Sequence, residues 1–88
     1  MFELGRISVT EGADHALRKT GQSAEEFLSR HKAGDWGDIS DETRLKNAEA
    51  LEEDQRLESV YHTSGGEKIL VVTEADRALT SIMTPEEF

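Results

Sequence analysis

The run from Arg56 to Thr84, RLESVYHTSGGEKILVVTEADRALTSIMT, decides the fold. It divides into Arg56 to Thr63, Lys68 to Glu74 and Ala78 to Thr84, separated by Ser64-Gly65-Gly66 and by Ala75-Asp76-Arg77. Links this short join strands that run antiparallel, because a parallel return needs a long crossover. A three-stranded antiparallel meander is therefore expected. Ile69-Leu70-Val71-Val72 is apolar at consecutive positions, the pattern of a central strand covered by helices on one face and by something further, such as a partner, on the other. Gly65-Gly66 reads as a hairpin turn; no lysine or helix follows where a phosphate-cradling loop would need one.

Upstream, Leu4-Gly5-Arg6-Ile7-Ser8-Val9-Thr10 alternates apolar Ile7 and Val9 with polar neighbours, which predicts a first strand with one buried face, added to the same sheet. Thr10 is placed to cap a short helix that Gly21 ends. Ser23-Ala24-Glu25-Glu26 has the form of a capping box for a second helix running to about Lys32, and His31 near its end is expected to meet the terminal carbonyls. Gly34-Asp35-Trp36-Gly37-Asp38 forms a sharp turn around the only Trp, after which Ser40 caps a third helix with an apolar stripe of Leu45, Ala48 and Leu51, joined by Ala50. Thr84-Pro85-Glu86-Glu87 predicts a capped terminal turn with Phe88 tucked back as an anchor. The sum is a single α+β domain over residues 1–88: an N-terminal strand, two to three short helices, then the meander.

Composition narrows the function. The chain has 88 residues, no Cys, and a net charge of −9. Disulfide frameworks and thiolate zinc sites are thereby excluded, and the charge opposes direct binding to nucleic acid or to anionic lipid. The N-terminal residues lack a secretory pattern and no apolar run approaches a membrane span, so a soluble, cytoplasmic protein is expected. From Asp35 to Asp54 there are eight carboxylates against Arg44 and Lys46, a net of −6. On a helix, carboxylates at steps of three and four stand in rows about 5 Å apart. Such rows imitate strand phosphates and suit a basic groove on a partner; they equally suit a solvated face that keeps a small protein soluble. Asp35, Trp36, Asp38, Asp41, Glu42, Glu49, Glu52 and Glu53 are the candidate partner-binding residues, with Trp36 either an exposed anchor or a core residue that orients the turn.

His15, His31 and His62 are too scattered for a local metal site, and no cofactor is expected. Tyr61, His62, Glu74, Asp76 and Arg77 admit a second class of reading, a small ribonuclease-like toxin in which His62 and Glu74 form an acid-base pair and Arg77 holds phosphate. In the simpler reading, Asp76 and Arg77 make a tight turn with a surface ion pair. A third class is an antitoxin-like or assembly subunit whose sheet pairs with itself, as a homodimer, or with a cognate protein.

Phe27-Leu28-Ser29-Arg30-His31, Gly34-Asp35-Trp36-Gly37-Asp38, Asn47 with Ala50-Leu51, Tyr61, Thr73-Glu74-Ala75-Asp76-Arg77, Thr80 and Pro85-Glu86-Glu87-Phe88 together resemble the small acidic "plasmid-related" proteins of bacterial mobile elements, often labelled type I restriction subunits. The resemblance covers roughly residues 4–88. It implies a phage, plasmid or integrative element as context. Small acidic proteins of such elements include anti-restriction and anti-CRISPR inhibitors, so the expected function is a non-enzymatic inhibitor that binds a basic surface of a host protein or ribonucleoprotein complex.

Overall fold

The computed structural model describes residues 2–88. Its elements are strand β1 (Arg6–Val9), helices α1 (Glu11–Thr20), α2 (Ala24–Lys32) and α3 (Asp41–Glu53), strands β2 (Leu57–His62), β3 (Lys68–Thr73) and β4 (Leu79–Met83), and a 3-10 turn (Pro85–Glu87). The strands form one mixed sheet in the order β1-β4-β3-β2. β2, β3 and β4 pair antiparallel through the two short links, whereas β1 joins the free side of β4 in parallel, Arg6 opposite Leu79 and Val9 opposite Ile82. The fold is thus α+β, but the meander is only part of a larger mixed sheet.

Register and the two-residue period assign the faces. Leu57, Ser59, Tyr61, Ile69, Val71, Thr73, Thr80 and Ile82 share the inner face, and all are buried. Ala13, Ala16 and Leu17 of α1 with Phe27 and Leu28 of α2 close the main core on Tyr61, Ile69, Val71 and Ile82. Trp36, Ala50 and Leu57 form a second cluster with Phe2, Ile39 and Leu51. On the outer face Val72 is buried and Val60, Leu70, Leu79 and Met83 are half-buried. The C-terminal turn packs against β3, and Phe88 stays exposed with its ring 5.4 Å from the Arg56 guanidinium.

Thr10 and Ser40 cap α1 and α3 by accepting from the backbone N–H of Ala13 and Thr43. Ser23 makes no such bond, and Glu26 instead accepts from the Gln22 side chain, so the expected capping box of α2 does not form. The first strand also departs from expectation. Ile7 and Val9 lie on the inner face, yet they are 42% and 38% exposed because β1 is an edge strand beyond the cover of the helices.

The third helix is rotated from the expected stripe. Leu45 and Ala48 face solvent, Leu51 is half-buried, and the buried pair is Asn47 and Ala50. Asn47 Nδ2 donates to the Glu58 carbonyl at 2.8 Å while its Oδ1 accepts from Glu58 N at 3.2 Å. One residue pair along, Val60 N donates to the Trp36 carbonyl and Val60 O accepts from Asp38 N. Gly37, at φ +74, makes that approach possible, since a Cβ there would sit 2.1 Å from the Val60 carbonyl oxygen. The outer edge of β2 is therefore closed by α3 and by the Trp36 turn.

Candidate functional site

At 100° per residue, the buried side of α3 is set by Asn47 and Ala50, so Leu45 points almost directly away from the protein. It is 67% exposed. Asp41, Glu49 and Glu52 share its face at positions i−4, i+4 and i+7, and Glu42 and Glu53 border it, all of them exposed. Among the described residues none of these five carboxylates takes part in an ion pair. The first turn suits Asp41 and Glu42, which meet the positive end of the helix. No basic residue occupies the last turn, so Glu52 and Glu53 there add to the negative end. The outcome is a negative ridge with an exposed Leu at its middle.

The other three candidate residues are tied into the molecule itself. Asp35 accepts from Arg30 Nε at 2.8 Å and from Gly37 N at 3.2 Å, and the Arg30 guanidinium holds its carboxyl below the usual range. Asp38 meets His62 Nδ1 at 2.9 Å. Trp36 is 8% exposed and stacks on Phe2 at 6.0 Å, so it serves the core and fixes the turn. The eight residues singled out by sequence thus divide into an outward helical set and a turn whose carboxylates are engaged by neighbouring side chains.

Behind the turn lies a buried polar chain that the sequence does not announce. His31, fully buried, is 2.5 Å from Ser59 Oγ through Nδ1 and 2.9 Å from Thr73 Oγ1 through Nε2. Thr73 and Thr80 hydroxyls are 2.7 Å apart, and Thr80 donates to the Leu4 carbonyl. That carbonyl can only accept, which orients every proton: Thr73 donates to Thr80, His31 Nε2–H donates to Thr73, and Ser59 donates to a bare Nδ1. The rings of Phe2 and Trp36 stand edge-on at 5.3 and 5.5 Å. Burial depresses the imidazole to about 4, so it is neutral. The helix-end role expected of His31 is replaced by a core role.

The residues of the toxin reading are dispersed. His62 pairs with Lys68 at one end of β3 and Glu74 follows Thr73 at the other, about 20 Å away at 3.3 Å per residue. Tyr61 is buried, its hydroxyl donating to the Asp35 carbonyl. Arg77 makes no ion pair with Asp76; its guanidinium donates to the carbonyls of Ala50, Gln55, Glu74 and Ala75, binding the end of α3 to the β3–β4 turn. Asp76 accepts from Ala78 N within that turn. Among the described residues no three His, Asp or Glu side chains are grouped to hold a metal ion, and no helix is long and apolar enough to cross a membrane.

Scans of protein-family models, of curated proteins and of solved structures each return no match to this chain.

Proposed function

We propose that this chain is a non-enzymatic protein-binding module from a bacterial mobile element, and that the solvent face of α3 engages a basic surface on a nucleic-acid defence complex of the host, inhibiting it. The observation that carries the reading is the set Asp41, Glu42, Glu49, Glu52 and Glu53: exposed, on one rigid helix, and without ion pairs among the described residues. Unneutralised carboxylates in fixed rows attract a Lys- and Arg-lined groove by the same salt-sensitive field that phosphates present. Asp35 and Asp38 contribute to that field while holding the turn. Trp36 supports the helix from beneath, next to Ala50 in the second core cluster.

The test is affinity capture from nuclease-treated bacterial lysate, comparing the native chain with the triple variant Glu49→Lys, Glu52→Lys, Glu53→Lys. All three positions are exposed, so the fold is preserved. A nucleic-acid-handling complex retained by the native chain at low salt, released at high salt and not retained by the triple variant is the expected result. Equal retention by the triple variant would remove α3 from the contact.

A further inference from the structure

The two edges of the sheet are finished differently. The β2 edge is occupied by Asn47 and by the Trp36 turn, whereas every residue of β1 is exposed. Arg6 N donates to the Ala78 carbonyl and Thr10 N to the Ile82 carbonyl, so the even-numbered residues of β1 direct their backbone groups toward β4. By the two-residue period, the N–H and C=O of Ile7 and Val9 point outward from the sheet. An uncovered edge of this kind is a template for another strand. Ile7 and Val9, the two apolar side chains of that strand, lie on its inner face and are exposed large hydrophobics among the described residues.

We propose that β1 is a homodimerisation edge, pairing antiparallel with β1 of a second copy about a two-fold axis at Ser8. The occupant follows from self-complementarity. With Ser8 on the axis, Ile7 lies opposite Val9 of the second copy and Val9 opposite Ile7, so the backbone groups left open on each strand meet and the apolar side chains extend both cores across the junction. On the other face Ser8 meets Ser8, and Arg6 meets Thr10, so no like charges oppose one another. A register shifted toward the N-terminus fails at Gly5, whose φ of +68 takes it out of extended backbone and whose missing Cβ would otherwise lie 2.4 Å from the Ala78 carbonyl carbon. Charge permits the pairing despite the net −9: in the order β1-β4-β3-β2 the acidic helix packs at the β2 end, so the dimer holds its two acidic ridges at opposite extremities. A four-residue strand gives a small contact, and the dimer is reversible with concentration.

Sedimentation velocity over a wide concentration series reads the result directly. The native chain should pass from 9.8 kDa to twice that mass. Ser8→Asp and Ser8→Lys each place like charges face to face on the axis, and each should remain monomeric. Mixed in equal amounts they should recover the dimer, because Asp then faces Lys. Circular dichroism confirms that each variant is folded. A native chain monomeric at every concentration, single variants that dimerise as the native chain does, or a mixture that stays monomeric would each overturn the proposal. None of these outcomes bears on α3, so this edge and the acidic ridge stand or fall separately.

Discussion

Asn47 completes the sheet as a strand would: its amide exchanges a donor and an acceptor with the backbone of Glu58 on the outer edge of β2. Substituting Asn47→Ala leaves both Glu58 backbone groups without partners at a half-buried position and should cost roughly 2–3 kcal/mol. Asn47→Asp keeps the shape but sets a carboxylate oxygen against the Glu58 carbonyl, and should cost more. Urea denaturation with circular dichroism separates the two, and a cost for Asn47→Ala close to zero would show that the two bonds to Glu58 do not hold α3 on the sheet.

His31 gives the protein an acid-sensitive core. Its folded value of about 4 lies below the 6.5 ordinary for an imidazole, so the unfolded chain binds more protons between those limits. The sign follows: this contribution is complete above pH 6.5, declines as the pH falls toward 4, and amounts to roughly 3 kcal/mol over the window. Nitrogen-detected NMR should find a neutral ring protonated at Nε2 and bare at Nδ1 at pH 5.5. A ring titrating near 6.5 would contradict the buried chain of hydroxyls.

The C-terminal turn is fastened to α1 through Glu87. Its carboxylate accepts from Thr10 Oγ1, from Gly12 N and from Thr84, and these bonds lower its pKa to about 2. A Cβ on Gly12 would lie 2.8 Å from Glu87 Oε1. Gly12→Ala should therefore destabilise the native chain by displacing the carboxylate. In a Glu87→Ala background the same change should stabilise it by up to about 1 kcal/mol, the helix-interior limit, because Ala is the better helix former. Glu87→Gln should also remove the part of acid lability that appears as pH falls from 4.5 toward about 2. The same sign for Gly12→Ala in both backgrounds would mean that the two residues do not share this space.

What could be read from the sequence was the local part. Short links imposed antiparallel pairing on β2, β3 and β4, and the hydroxyls of Thr10 and Ser40 marked helix starts. The parallel union of β1 with β4 left no local trace, since the partners are brought together only by the folding of everything between them. The rotation of α3 was hidden for a related reason. Its apolar residues suggested that Leu45 was inside, but a polar Asn47 that satisfies two backbone groups on β2 outcompetes a leucine for the buried position. Charge patterning did identify Asp41, Glu42, Glu49, Glu52 and Glu53 as a set, because helical spacing alone determines that they share a side. It could not tell them from Asp35 and Asp38, whose partners Arg30 and His62 come from other elements.

The parallel pairing of β1 with β4 also fixes an order of events in synthesis. Arg6 can meet its neighbour Leu79 only once residue 79 has left the ribosome. Until then the first strand has no hydrogen-bonded neighbour on either side, and Thr10 lacks the carboxylate of Glu87. The complete sheet therefore closes in one late step, with residues 79–87 locking residues 6–12.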